Sequence, residues 1–207
     1  MNWTRAVHHV ELAAAECARL ADLSAATMPV QVVQMWVFGD VLGGAHESAG
    51  LDQVDQVDQV DLAMVLDLPA SAVPWLAAPP AAEHWLRMTR LSKNPVRVWW
   101  RSAAAPVWNH RIVQPLLVWE QPAGLIEDAL VALREGRGAA GSSPAPTSEA
   151  LGRRVADELV VSLAALRGCT AAYAERQFTP TKLGPTADAL WRTCDGYLDL
   201  LAAQAAA

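Results

Sequence analysis

The sequence predicts an α/β (α+β) protein that ends in an antiparallel helical hairpin. Apolar, β-branched segments at 30–38 and 60–68 alternate with segments whose apolar residues recur every three or four positions, as strands alternating with helices do. A segment rich in Gly, Ser, Pro and Ala then precedes two long helical patterns. We therefore expect an α/β domain over 1–136, a linker over 137–147 and a helical hairpin over 148–207.

The first part of the chain is predicted to run helix, strand, loop. Asn2 is a suitable N-cap for a helix of about twenty residues, because apolar residues recur at helical spacing as far as Ala21. Nearly every residue of Val30–Phe38 is apolar or β-branched, so this strand is expected to be buried on both faces. Three tandem DQV units within 52–61 fit the period of neither a strand nor a helix face and predict a loop.

The second strand, Val60–Leu68, carries acidic residues on one of its two faces. Successive strand residues point to opposite faces, so Asp61 and Asp67 are separated from the apolar residues Leu62, Met64 and Leu66. We expect the Asp61 side chain to project into the same pocket as Gly39, the glycine that ends the first strand.

Residues 81–135 are predicted to contain two helices and two strands. These elements are a helix at 81–91, strands at Val96–Arg101 and Arg111–Trp119, and a helix at 123–135. Pro106 and Pro115 limit strand pairing, and Gly136 stops the second of these helices. After the linker, Thr147 or Ser148 can cap the first of two amphipathic helices. A short turn joins these helices, which predicts an antiparallel pair.

Composition excludes several classes of protein. Of the 207 residues, 53% are hydrophobic and 18% charged, which indicates a folded core. No apolar run reaches the roughly 18 residues that span a membrane, and the polar N-terminal segment does not resemble a signal peptide. Cys17, Cys169 and Cys194 form no CxxC motif, so we expect reduced thiols and a cytoplasmic location. The Ala content and the preference for Arg over Lys are typical of high-GC bacterial genomes.

Charge is divided between two blocks of opposite sign. Residues 40–67 contain seven Asp or Glu and no Lys or Arg, whereas 84–119 contain six Lys or Arg and no Asp or Glu. The two blocks could pair with each other, or they could flank a metal ion and a phosphate. Charge alone leaves both interpretations open, and nothing else in the sequence is a strong signal for nucleic-acid binding.

The chain has, in order, a strand, the turn Gly39-Asp40, a spacer and a strand that opens with Asp61. This arrangement resembles the nucleotidyltransferase-like superfamily of the DNA polymerase beta type. The resemblance implies a mixed sheet with flanking helices and two divalent cations, held by carboxylates, that act in phosphoryl-group chemistry. In that family a Gly-Ser turn lies near the triphosphate and an Asp-x-Asp pair shares a strand face. Here Asp40 replaces the serine and Gln59 replaces the first aspartate. The whole chain also resembles uncharacterised bacterial proteins.

The resemblance selects a set of candidate metal ligands. It implies a Mg²⁺ site at Asp61 with Asp40 or Asp58, and Glu120 is the remaining option for a third carboxylate. Two alternatives for these acids are a solvated loop with one aspartate at the end of a strand, and a role in specificity through repulsion of negatively charged ligands. No catalytic residue is assigned.

The candidate ligand-binding residues are Gly39, Asp40, Arg97, Arg101, Asn109, His110 and Arg111. Arginines interleaved with Trp99, Trp100 and Trp108 could cradle a phosphate and stack a base, although tryptophans in a strand also serve as core. Only one of Trp99 and Trp100 is expected to face the core.

Three functional hypotheses follow. The first is a non-catalytic or degenerate member of the nucleotidyltransferase-like fold that binds a nucleotide, a phosphorylated ligand or a protein partner. The second is an active metal-dependent nucleotidyltransferase. The third is a structural or toxin–antitoxin-type interaction protein whose C-terminal helices bind a protein partner.

Overall fold

The structure, a computed structural model, describes residues 1–24, 26–43, 57–176, 178 and 180–206. Within these ranges it is an α+β protein with a mixed sheet, as the sequence predicted. Its strands are β1 (Val32–Phe38), β2 (Val60–Leu66), β3 (Val96–Ser102), β4 (Leu116–Glu120) and β5 (Gly124–Leu125). Its α-helices are α1 (Trp3–Ala21), α2 (Pro80–Met88), α3 (Glu127–Arg134), α4 (Ser148–Arg176) and α5 (Pro180–Ala206).

The strands lie in the order β3-β2-β1-β4-β5, and β2 and β3 form the one parallel pair of this sheet. Phe38 is paired with Asp61 across β1 and β2, and Asp61 is paired with Arg97 across β2 and β3. These three side chains therefore lie side by side on one face of the sheet. The register brings the end of β1 and the starts of β2 and β3 to the same edge.

The opposite face of the sheet carries the main core. Helix α1 packs here through Cys17, whose Sγ lies 4.0 Å from Met35 Sδ and 3.9 Å from Met64 Sδ. Burial raises the pKa of the Cys17 thiol, which behaves as a small hydrophobic side chain. Trp85 of α2 meets Trp100 of β3 edge to face, with ring centroids 5.9 Å apart.

Helices α4 and α5 pack against each other as a hairpin, and they dock on the face that carries Arg97. The docking point on α5 is Gly196, where an added Cβ would lie 2.1 Å from the backbone oxygen of Trp75. Only a residue without a side chain allows this approach. On α4, Ser162 Oγ accepts a hydrogen bond of 3.3 Å from the Trp75 amide.

Several predicted boundaries were wrong. The strand predicted at Arg111–Trp119 begins only at Leu116, because the Asn109 side chain holds a turn by accepting hydrogen bonds from the amides of Arg111 (2.9 Å) and Ile112 (3.0 Å). The helix predicted at 123–135 begins at Glu127, since 124–125 form β5 on the edge of the sheet.

Two further boundaries differ from prediction in a smaller way. The helix predicted at 81–91 ends at Met88, and a separate 3₁₀ turn follows at Leu91–Lys93. The predicted linker contains a 3₁₀ turn at Gly138–Gly141, and Gly138 is buried against Leu133 and Leu42. Most of the DQV repeat, residues 52–56, lies outside the described residues. None of the described helices carries an apolar stretch long enough to cross a membrane.

Candidate functional site

A polar cleft of about 390 Å³ lies between the sheet and the helical hairpin. Gly39 ends β1 with a φ of +78°, and an added Cβ there would lie 3.6 Å from Asp61 Oδ2. The glycine turn and the Asp61 carboxylate therefore open into the same cleft, as expected from the sequence. Charged groups dominate its lining, which includes Asp61, Arg97, Arg111, Asp195 and Asp199.

Both oxygens of Asp61 are hydrogen bonded to residues of the neighbouring strand. Arg97 donates from Nε to Oδ1 (2.6 Å) and from Nη2 to Oδ2 (2.9 Å), and the Trp99 indole donates to Oδ1 (2.9 Å). The hydrogen bond to Asp61 raises the pKa of Arg97. At this point the acidic and basic blocks of the sequence pair with each other.

The second carboxylate of the cleft, Asp199, comes from α5. His110 Nε2 lies 2.7 Å from its Oδ2, the Trp75 indole donates to the same oxygen (2.8 Å), and Arg111 donates to Oδ1 from Nε (3.1 Å) and from Nη2. Burial by itself raises the pKa of Asp199, but the hydrogen bonds from Arg111, Trp75 and His110 outweigh it and lower the pKa to about 2.

A third carboxylate, Glu158 of α4, is buried outside the polar cleft. The Oε1 atom of Glu158 accepts a hydrogen bond from Arg101 Nη2 (2.5 Å) and forms an ion pair with Arg154 Nη2 (2.9 Å). The Oε2 atom accepts a hydrogen bond from Asn109 Nδ2 (3.0 Å). Burial lowers the pKa of Arg154, and the Glu158 charge opposes this. Two of the predicted ligand-binding residues, Arg101 and Asn109, thus hold the hairpin on the sheet.

Sequence reasoning missed Glu158 and Asp199, because both were hidden within helical patterns. Glu158 interrupts the apolar stripe of α4 next to Leu159, and Asp199 stands between Leu198 and Leu200. An acidic residue on the inward side of an amphipathic helix is the signal that could have found them, since such a charge needs a partner on the surface it packs against.

The interleaved arginines and tryptophans stack on one another. Trp99 lies parallel to Trp75, with ring centroids 5.1 Å apart and an interplanar angle of 25°. Arg97 Cζ lies 4.7 Å from the centroid of the Trp99 ring, and Arg101 Cζ lies 5.4 Å from that of Trp75. Trp99 faces the cleft and Trp100 faces Trp85, so the expectation that only one of the pair faces the core is confirmed.

An aromatic groove of about 240 Å³ adjoins the polar cleft along the outer edge of β3. Trp99 and Arg97 line both spaces, and Trp191 of α5 forms the outer wall of the groove. Because Trp191 is 65% exposed, its ring remains open to solvent. The two spaces together offer a flat indole surface beside a charged surface.

The candidate Mg²⁺ ligands do not converge on one point in this arrangement. Asp40 and Asp58 are exposed, and neither lines the polar cleft. Glu120 accepts a hydrogen bond of 3.4 Å from Gln34, and the Asp61 oxygens are held by Arg97 and Trp99. Among the described residues no group of three or more His, Cys, Asp or Glu is placed to hold a metal ion. The Mg²⁺ site stays a prediction that these contacts do not favour.

Fold and site together define an α+β protein whose sheet and helical hairpin enclose a cleft of paired charges. The chain belongs to the family described as Domain of unknown function (DUF7711), whose model matches residues 1–206. No curated protein matches the chain, and no solved structure does.

Proposed function

We propose that this protein is a non-catalytic ligand-binding member of the nucleotidyltransferase-like fold. One observation carries the proposal: Asp61, the strand aspartate that would hold a catalytic cation, is instead held by both Arg97 and Trp99. A carboxylate whose two oxygens already accept charge-assisted hydrogen bonds has little left to offer a metal ion. The resemblance to nucleotidyltransferases then supports a role in binding rather than turnover. The three cysteines outside any CxxC motif and the Ala- and Arg-rich composition favour the cytoplasm of a bacterium as its location.

The lining of the two connected spaces supports a ligand with a planar ring and an anionic group. The side of the Trp191 ring that lines the groove suits a base or another aromatic ring. Arg97 and Arg111 are more than half exposed, and their Nη1 groups take no part in the pairs with Asp61 and Asp199. A nucleotide or another phosphorylated small molecule combines these two features.

A thermal unfolding titration with ATP, CTP and GTP, each with and without Mn²⁺, tests this proposal. At a ligand concentration of about 100 times Kd, binding stabilises the folded state by roughly 2.7 kcal/mol. We expect at least one nucleotide to raise the unfolding temperature with or without the metal. No shift with any of the three nucleotides would contradict the proposal.

A matched pair of variants locates the binding site. Arg97→Gln removes one guanidinium from the cleft, and we expect it to weaken nucleotide binding by roughly tenfold, equivalent to about 1.4 kcal/mol. Arg134→Gln is the control, because Arg134 has the same 52% side-chain exposure and also pairs with an acid, Glu11, but lines neither space. Equal affinities for the two variants would place the ligand elsewhere.

An active metal-dependent nucleotidyltransferase is the second candidate, and the approach of Gly39 to Asp61 favours it. Its test is turnover of a labelled nucleoside triphosphate with Mg²⁺. Turnover that Asp61→Asn abolishes and Asp67→Asn leaves unchanged would establish this activity and rule out the non-catalytic proposal. Asp67 is the suitable control because it is exposed at the far end of β2.

A further inference from the structure

The hairpin carries the most exposed large hydrophobic side chains of the described residues. Phe178 is 87% exposed, Val160 71%, Trp191 65% and Leu198 56%, whereas the highest value outside the hairpin is 45%, at Val113. Single exposed hydrophobic residues need no explanation, but a concentration on one element indicates an interaction surface.

Helix α5 carries two separate apolar stripes. The first includes buried Thr193 and Leu200, and Thr193 Oγ1 lies 3.4 Å from Cys169 Sγ of α4, so this stripe packs inside the hairpin. The second stripe lies on another face, and all of its members are exposed or only partly buried. They are Ala187, Trp191, Cys194, Leu198, Leu201 and Ala205. Helix α4 and the residues around Trp75 cover two sides of α5, and the second stripe lies on a third side.

The spacing of the second stripe is that of a coiled-coil seam. Its residues are separated by four, three, four, three and four positions, which is the alternation of a and d positions in a heptad repeat. Because this spacing reads the same in both directions, the stripe can pair with an antiparallel copy of itself without any change of register.

We propose that α5 binds α5 of a second copy of this chain, antiparallel, around a two-fold axis level with Gly196. This pairing places Trp191 against Leu201 of the second copy, and Cys194 against Leu198, so each large residue meets a smaller one. The contact is isologous, because the same surface is used by both subunits. It goes beyond the ligand-binding proposal and does not depend on it.

Charges next to the stripe fit a second copy. Asp188 and Arg192 form an ion pair of 2.9 Å, and Asp195 adds a single negative charge. These three residues carry positive and negative charges and a net charge of −1, so two copies of the helix repel each other only weakly. A basic or a strongly acidic partner would find no matching charge block along this border.

The length of the seam sets the expected strength of the dimer. From Ala187 to Ala205 the helix rises by about 27 Å, at 1.5 Å per residue. A seam of this length with a single helix on each side buries less than the roughly 800 Å² per partner of a standard stable interface. The dimer is therefore expected to dissociate on dilution. Since Trp191 also borders the aromatic groove, the second copy lies beside that groove.

Sedimentation velocity of the full chain, from about 1 to about 300 µM, tests the dimer. We expect the mass to rise from 22.2 kDa towards twice that value with concentration. Leu198→Glu places a charge in the seam and should keep the protein monomeric. Val131→Glu is the control, because Val131 is 41% exposed on α3 and should leave the dimer intact. A wild-type chain that stays monomeric throughout, or a Leu198→Glu variant that still dimerises, overturns the proposal.

Disulfide trapping tests the orientation. Ala187 faces Ala205 of the second copy in the antiparallel arrangement, so the double variant Ala187→Cys, Ala205→Cys should form covalent dimers on mild oxidation. Each single variant should remain uncrosslinked, and so should the wild type. Efficient crosslinking of Ala187→Cys alone, or of the wild type through Cys194, would indicate a parallel seam and overturn the antiparallel arrangement.

Discussion

Asp61 and Glu158 are both carboxylates held by arginine and a neutral donor, yet they belong to different parts of the molecule. Asp61 lies in the cleft with a partner, Arg97, that is 52% exposed, whereas Glu158 and Arg101 are buried between hairpin and sheet. The first pair is open to solvent, whereas the side chains of the second are at most 7% exposed. One basic block, 84–119, thus supplies both the buried pair that holds the hairpin on the sheet and the exposed pair that lines the cleft.

The largest expected effect is the loss of the buried pair. Glu158→Ala leaves the guanidinium groups of Arg101 and Arg154 buried without their carboxylate, and we expect a loss of about 3–5 kcal/mol in the free energy of unfolding. Urea denaturation measures it. Glu149→Ala is the control, because its pair with Arg153 on the same helix is exposed and contributes less than about 1 kcal/mol. Similar losses of stability in the two variants would show that the buried Glu158 pair contributes no more than the exposed Glu149 pair.

Asp199 is expected to have an intermediate effect that depends on pH. Its folded-state pKa of about 2 lies below the ordinary value of 3.8, so its contribution is fully present above about pH 4 and is lost as the pH falls towards 2. We expect this contribution to be about 1–2 kcal/mol after screening by solvent. The stability of wild type and that of Asp199→Asn should converge over that acid range. The control is Asp188→Asn, because the pair of Asp188 with Arg192 is exposed and should contribute less than about 1 kcal/mol.

Gly39→Ala tests whether the backbone of the turn beside Asp61 requires a glycine. Its φ of +78° is unfavourable for alanine, and the added Cβ would have ordinary clearance of 3.6 Å from Asp61, so the cost is conformational and about 1 kcal/mol. Thermal unfolding measures the change. Gly152→Ala is the control of opposite sign: it lies in α4 with no neighbour within 4 Å of an added Cβ, and alanine should stabilise the helix. Stabilisation by both substitutions would show that Gly39 is not constrained.

The smallest change in stability is expected at Arg97. Because its side chain is about half exposed, Arg97→Gln should reduce the free energy of unfolding by less than about 1 kcal/mol. The same urea denaturation experiment applies, with Arg134→Gln as the reference. A loss as large as that of Glu158→Ala would mean that the Asp61–Arg97 pair is a structural element rather than part of a binding surface.

Much of the fold could be predicted from local patterns in the sequence. The apolar run of β2, which is buried from Leu62 to Leu66, and the three-to-four spacing of α1, α4 and α5 both reflect burial, and burial selects these elements. The start of β4 could not be found in this way, because the turn before it depends on the Asn109 side chain binding two amides. A hydrogen bond between side chain and backbone leaves no periodic signal.

The candidate site was only partly predictable for a related reason. Gly39, Asp61 and Arg97 are brought together by the sheet register, which the strand pattern anticipates. Asp199 and Glu158 are distant in sequence from the residues they bind, and each is a single acid within an apolar helix. Their roles follow from how the hairpin docks, and docking depends on the close approach of Gly196 to Trp75.

Nucleotide binding measured by calorimetry with and without Mn²⁺, on wild type and on Asp61→Asn, tests the central claim most directly. If the Asp61 carboxylate is committed to Arg97 and Trp99, the nucleotide affinity of the wild type should be the same with and without the metal. Binding that requires Mn²⁺ and disappears in Asp61→Asn would show instead that Asp61 holds a cation, and would contradict the account.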